Sequence, residues 1–109
     1  MNDNPATFGR FISIRRKAKS MSQKDLAGKI LREDSPTSIS PQYLNDIEHD
    51  RRSPSSDYLI KQLAQVLEVE EDYLYYLAGR IPSDVAQKPV TQAKIQEALL
   101  AFRKVLEHH

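Results

Sequence analysis

Two short stretches of this 109-residue chain carry side chains suited to recognising another molecule: Ser22-Gln-Lys-Asp-Leu-Ala27 and, after a polar gap, Ser40-Pro-Gln-Tyr-Leu-Asn-Asp-Ile-Glu48. Each begins with a hydroxyl residue just ahead of helical periodicity, where a side-chain oxygen accepts an otherwise unpaired N–H of the first turn. Asp25, three residues after Ser22, has capping-box spacing, although Asp is shorter than the usual Glu. Pro41 after Ser40 is a cap followed by proline at the first helical position. In the second stretch Leu44 and Ile47 must face a core, which turns Gln42, Asn45 and Asp46 outward. Outward amides donate and accept at once, which suits bidentate contact with adenine, and a carboxylate accepts from cytosine. The implied chemistry is sequence-specific DNA recognition, with one capped helix set into a groove. Gln42 is the first choice for a base contact. Asn45 would meet a base or a phosphate, Asp46 would accept from cytosine or orient a neighbour, and Tyr43 would touch a thymine methyl or the backbone, or else pack inward.

The elements needed to hold these residues are helices. Apolar residues recur three and four apart throughout, and no segment alternates in the manner of a strand, so an all-α fold is expected. The first helix is predicted from near Pro5 to about Lys19, with Phe8, Phe11 and Ile12 inward and Arg10 and Lys17 outward. Ser22 caps the second, which buries Leu26, Ala27 and Ile30 and ends in the polar segment Arg32 to Ile39, where Pro36 blocks continuation. The third runs from Pro41 to about Asp50. Arg51-Arg-Ser-Pro54 connects it to a fourth, opened by Ser55 or Ser56 and striped with Leu59, Leu63, Ala64 and Leu67. A fifth spans roughly Glu70 to Ala78 and is stopped by Gly79. The segment from Arg80 to Pro89 lacks periodicity and is expected as a linker over the surface. A last helix starts at Thr91 or Gln92, and its Ile95, Leu99 and Phe102 form a seam that would pack on the core or on a second copy.

Charge and composition bound the function. Net charge is only +1, yet from Arg10 to Arg32 the basic residues Arg10, Arg15, Arg16, Lys17, Lys19, Lys24, Lys29 and Arg32 face a single acid, Asp25. Glu68, Glu70, Glu71 and Asp72 crowd a later window. Such segregation is expected if one face meets phosphates, and an ordinary solvated face is the alternative. With 39% apolar residues and no cysteine, one packed domain without disulfides or thiolate metal sites is expected, in the cytoplasm. No run approaches the roughly 20 apolar residues of a membrane span, and Met1-Asn-Asp-Asn-Pro5 is no signal peptide. An enzyme is not expected: there is no glycine-rich phosphate loop and no metal-spaced His or Cys set, and no cofactor is implied. His49 is expected at a helix end, near a phosphate. Leu106-Glu-His-His109 has the look of a purification-tag remnant, so that the biological chain would stop near Val105.

Over roughly Phe8 to Ala78 the chain resembles the Cro and phage-repressor family of helix-turn-helix regulators, also called Xre-like. The resemblance rests on Ser22-Gln23, the pair Leu26-Ala27, Leu44-Asn-Asp-Ile-Glu48, the basic connector Arg51-Arg52, and Leu63-Ala64 with Leu67. It implies a five-helix lambda-repressor-like domain at residues 5–79, followed by a linker and additional C-terminal helix at 80–105 and the tag remnant at 106–109. It also implies that the third helix lies in the major groove while the second crosses the DNA backbone. By the same resemblance Gln23 touches phosphate and supports the base-reading side chain. Ser22, Lys24, Ser40, Arg51 and Arg52 supply further backbone contacts, and Arg16 and Glu48 form a partly buried pair tying the first helix to the recognition helix.

This chain departs from the family in three places. The turn from Leu31 to Ile39 is several residues longer than usual, and would tilt the recognition helix, reach DNA through Arg32, or bulge into solvent, the last being favoured. Asp50 stands where the family often has Gly, and Asp tolerates a left-handed cap better than most residues. Pro41 replaces a residue that commonly reads a base, which shifts recognition toward Gln42 and Asn45. The implied function is a transcriptional regulator, a repressor in the first instance, that binds double-stranded DNA as a homodimer. The rival is an antitoxin or adaptor of the same fold that acts through a protein partner, held by the C-terminal helix and the Tyr73, Tyr75, Tyr76 cluster.

Overall fold

The computed structural model describes residues 7–108, and among these every regular element is a helix. They are α1 (Phe8–Ala18), α2 (Gln23–Gly28), α3 (Pro41–Glu48), α4 (Asp57–Leu67), α5 (Glu71–Ala78), the single turn α6 (Ser83–Ala86) and α7 (Gln92–Glu107). The expected start at Pro5 lies outside the described residues; Thr7 caps α1 by accepting the Arg10 N–H. Local chemistry sets the other starts as well. Ser22, Ser40, Ser56 and Thr91 each accept an N–H from the first turn that follows, and Ser22 and Asp25 complete both halves of the capping box. Its reciprocal bond holds the Asp25 carboxyl below its ordinary range, through the Ser22 backbone N–H first and the Ser22 side chain second.

Several ends fall earlier than the periodicity suggested, because backbone conformation stops a helix before hydrophobic pattern does. The expected reach of α1 to Lys19 and of α3 to Asp50 is cut to Ala18 and Glu48, where Ser20 and Asp50 turn left-handed at φ 58° and 59°. Asp50 thus takes the conformation in which the family favours glycine. The expected linker after Gly79 contains α6, a turn too short to bury a residue. Glu70 makes no side-chain cap, and the acids Glu71 and Asp72 instead occupy the first turn of α5, where the helix dipole favours negative charge. Much of the acidic window is therefore a helix start.

One core lies within α1 to α5, built from Phe8, Ile12, Leu26, Ala27, Ile30, Leu44, Ile47, Leu59, Ile60, Leu63, Leu67, Leu74 and Tyr75. Leu44 and Ile47 are completely buried, each adding about 1.5–3 kcal/mol of burial free energy that fixes how α3 is rotated. α1 and α2 pack on α3, and α4 packs on α5. The α1–α3 approach is close enough to require glycine at position 9: a Cβ there would stand 2.2 Å from the Ile47 carbonyl oxygen and 2.7 Å from that of Glu48. Across this contact the Gly9 N–H donates to Asp50 Oδ1 at 3.0 Å.

The long turn before α3 has structure of its own. Leu31 and Ser38 form an antiparallel bridge, with Arg32 N–H donating to the Thr37 carbonyl and Ile39 N–H to that of Ile30, both at 2.9 Å. The Gln62 amide of α4 clamps its base, accepting from Leu31 N–H and donating to the Leu31 carbonyl at 2.8 Å each. Its tip is exposed while Ile39 enters the core. α7 buries none of its residues. Its nearest aromatic link to the domain is a ladder in which Phe11 meets Tyr73 edge-on at 5.0 Å, Tyr73 stacks with Tyr76 at 6.3 Å, and Tyr76 faces Phe102 at 6.4 Å.

Candidate nucleic-acid interface

The residues proposed from sequence converge on one face, assembled from the starts of α2 and α3 and the connector after α3. Ser22 and Ser40 both use their oxygens as caps, accepting from Asp25 N–H at 2.9 Å and Tyr43 N–H at 3.0 Å. A hydroxyl that accepts inward still has its hydrogen to donate outward, so capping and phosphate contact are compatible. Lys24 and Gln42 are exposed, whereas Gln23, Tyr43, Asn45 and Asp46 are half-buried. Tyr43 packs against the core and carries the Arg52 guanidinium over its ring, 5.3 Å from the centroid.

Behind this face lies a buried polar network. Glu48 receives a two-pronged guanidinium contact from Arg16, Nε to Oε2 at 2.7 Å and Nη2 to Oε1 at 2.9 Å. The side chains are only 9% and 2% exposed, and Arg16 Nη1 donates to the Met21 carbonyl at 2.8 Å. The Glu48 hydrogen bond holds Arg16 above its ordinary range, against burial that pushes it down. Gln23 extends the network to the surface: its Nε2 donates to Glu48 Oε1 at 2.9 Å and to Asn45 Oδ1 at 3.0 Å. The start of α2 is thereby fixed to the outward face of α3, and Asn45 has one acceptor already engaged.

Asp46 is the hub on the exposed side. Its Oδ1 accepts from Gln42 Nε2 at 3.0 Å and from Arg51 Nε at 3.2 Å, and its Oδ2 lies 3.8 Å from Arg52 Nε. The Asp46 carbonyl also accepts the N–H groups of Arg51 and Arg52, at 2.8 and 3.3 Å. His49 caps α3, with Nδ1 donating to the Asn45 carbonyl at 2.9 Å. Between the hairpin tip and α3, a groove of about 590 Å³ is lined by Arg32, Asp34, Gln42, Tyr43 and Arg52 among others. Arg32 faces this groove but pairs with Asp34 at 3.3 Å.

Gly9, Gln62 and Arg80 escaped the sequence reading, as did the contact made by Asp50, which was expected only as a cap. Gly9 sets the α1–α3 distance and the Asp50 carboxylate bonds across it; Gln62 clamps the hairpin. Arg80 was assigned to a linker, yet it donates to the Pro54 carbonyl at 3.1 Å and pairs with Asp57 at 3.2 Å, bracing the connector after α3. The Gln42–Asp46 bond was signalled by its i, i+4 spacing, whereas the other partners are remote in sequence.

No helix of the described residues is long and apolar enough to cross a membrane. Curated proteins yield no match. Among solved structures, the chain resembles one titled as a SinR protein/SinI protein complex, at 21% identity and a TM-score of 0.52, over 94% of this chain and 100% of that one; at this identity the likeness concerns the fold. The sequence itself matches the helix-turn-helix family over residues 12–74, the span holding α2, α3, the buried ion pair and the connector arginines. With its two capped helices held at a fixed angle and a polar, amide-bearing face left open on the second, the chain belongs to the helix-turn-helix family and is a DNA-binding regulator of that class.

Proposed function

We propose that the protein is a transcriptional repressor that inserts α3 into the major groove of a two-fold related operator. The observation that carries this reading is the outward face of α3. Gln42 stands exposed in its first turn, beside the capped start of α2 and the exposed Arg51 and Arg52, while Leu44 and Ile47 lock the opposite face. In this arrangement Gln42, Asn45 and Tyr43 are the groove-facing set with Asp46 orienting Gln42 beside them, and Ser22, Gln23, Lys24, Ser40, Arg51 and Arg52 surround it with groups suited to phosphates. The reading unit is residues 5–79, with 80–105 as an arm. A dimer would bring two copies of α3 to half-sites about 34 Å apart, and the exposed row Ile95, Leu99 and Phe102 on α7 supplies an apolar surface for pairing two copies. The same row favours the second reading, an adaptor or antitoxin held to another protein through α7.

Selection of bound duplexes from a random pool at near-physiological salt tests the proposal. An enriched palindrome is expected for the native chain. Gln42→Ala should lose preference at one base pair per half-site, and Arg51→Ala/Arg52→Ala should lose affinity with a shallower salt dependence. No enrichment by a folded chain would move the weight to the protein-binding reading.

A further inference from the structure

We infer that Asp46 is a positioning residue that sets which base Gln42 accepts; this rests on the groove-reading role proposed for α3. A glutamine amide has two N–H donors and one carbonyl acceptor, and in free form it can rotate to present any of them. A carboxylate only accepts, so the 3.0 Å contact with Asp46 Oδ1 fixes the nitrogen of Gln42 toward Asp46 and consumes one of its two donors. One N–H and the carbonyl oxygen remain for the groove. That pair complements adenine, which offers N7 as acceptor and N6 as donor, and mismatches guanine, whose O6 and N7 both accept. Asp46 Oδ1 also accepts from Arg51 Nε at 3.2 Å, and Oδ2 lies 3.8 Å from Arg52 Nε. Asp46 is only 23% exposed in its side chain, so it stands beneath Gln42 and the arginines, a poor posture for reaching a cytosine itself.

The test measures adenine against guanine at the base pair whose preference Gln42→Ala abolishes, using duplexes that carry the selected operator and competitive binding to the full chain. The native chain should favour adenine by roughly tenfold or more. Asp46→Ala should lower the ratio severalfold, because an unheld amide can turn to aim its donors at guanine. Asp46→Glu retains an acceptor-only carboxylate at the same helical position and should restore the adenine preference, a rescue that a merely structural role would not produce. If Asp46→Ala does not fold, Asp46→Ser keeps a polar surface without reaching Gln42 and is expected to behave the same. An unchanged adenine preference in folded Asp46→Ala or Asp46→Ser, or a loss that falls on a different base pair, overturns the inference. If Gln42→Ala itself alters no base preference, the groove reading fails instead, so the two failures are distinguishable.

Discussion

Replacing Glu48 by alanine should cost this fold a large part of its stability and loosen the DNA-facing surface at the same time. The substitution removes both oxygens that hold Arg16, at 2.7 and 2.9 Å, and the one that accepts from Gln23 at 2.9 Å. Arg16 cannot shed its charge, and only the Met21 carbonyl remains to it, in a site where its side chain is 9% exposed. Breaking a buried pair in this way costs about 3–5 kcal/mol, a serious fraction of the roughly 5–15 kcal/mol that holds a domain folded. At about 4 °C per kcal/mol for a chain of this size, the melting temperature should fall by roughly 12–20 °C. Thermal and urea unfolding of the native chain, Glu48→Ala, Arg16→Ala and the double variant would measure the coupling directly. Arg16→Met/Glu48→Leu should recover most of the stability, since apolar residues of similar size fill such a site well. Its DNA binding should stay weak, because Gln23 has lost the anchor that orients it. A Glu48→Ala variant within about 0.5 kcal/mol of the native chain, or additive single substitutions, would refute the reasoning.

Other perturbations test separate parts of the structure. Gly9→Ala drives a methyl into the carbonyls of Ile47 and Glu48, and should cost about 1–3 kcal/mol or more in unfolding experiments while displacing α3; native-like melting would mean that α1 and α3 are not in close contact. Ser22→Ala removes the cap of α2 and should cost about 1 kcal/mol by the same assay. The Asp25 carboxyl is held below its ordinary range, so its share of stability is present above its unfolded value near about 3.9 and lost as pH falls through the lower folded value; Asp25→Asn should flatten that part of the acid unfolding profile. The Tyr75 hydroxyl is buried with no hydrogen-bond partner among the described residues, and burial raises its pKa. Tyr75→Phe should therefore be neutral or stabilising. It should also remove a loss of stability that sets in as pH rises above the unfolded value near about 10 and continues through the higher folded one; a clear fall in melting temperature at neutral pH would contradict this.

What the sequence made legible was mostly local. Ser22 with Asp25 and Ser40 with Pro41 announce helix starts because a cap is made by residues within one turn. The stripe of Leu59, Leu63, Ala64 and Leu67 announces a buried face because helical geometry fixes which positions share a side. The Gly9–Asp50 contact joins residues 41 positions apart, and nothing in the run Phe8-Gly-Arg10 marks that glycine as a point of close approach. The same holds for the Gln62 clamp on Leu31 and for Arg80 on Pro54, whose partners are defined only once α4 and α5 have packed. The hairpin at 31–39 has too few residues for any period to show, so turn chemistry pointed to a loop and tertiary bonds made it an ordered one. At the interface, residue types identified the outward amides and carboxylate correctly as a face. The i, i+4 spacing offers Gln42 as a partner for Asp46, but residue types could not tell that two arginines share that carboxylate, since their approach depends on the turn made after Glu48.

The most direct test of the central claim is to remove the atom that Gln42 is proposed to contact in the major groove. Replacing the adenine under Gln42 by 7-deazaadenine deletes N7 and leaves pairing and the minor groove intact. Binding of the native chain should weaken by roughly tenfold, and binding of Gln42→Ala should not change, since that contact is already gone. Equal losses for both proteins, or no loss for either, would contradict the placement of α3 in the major groove.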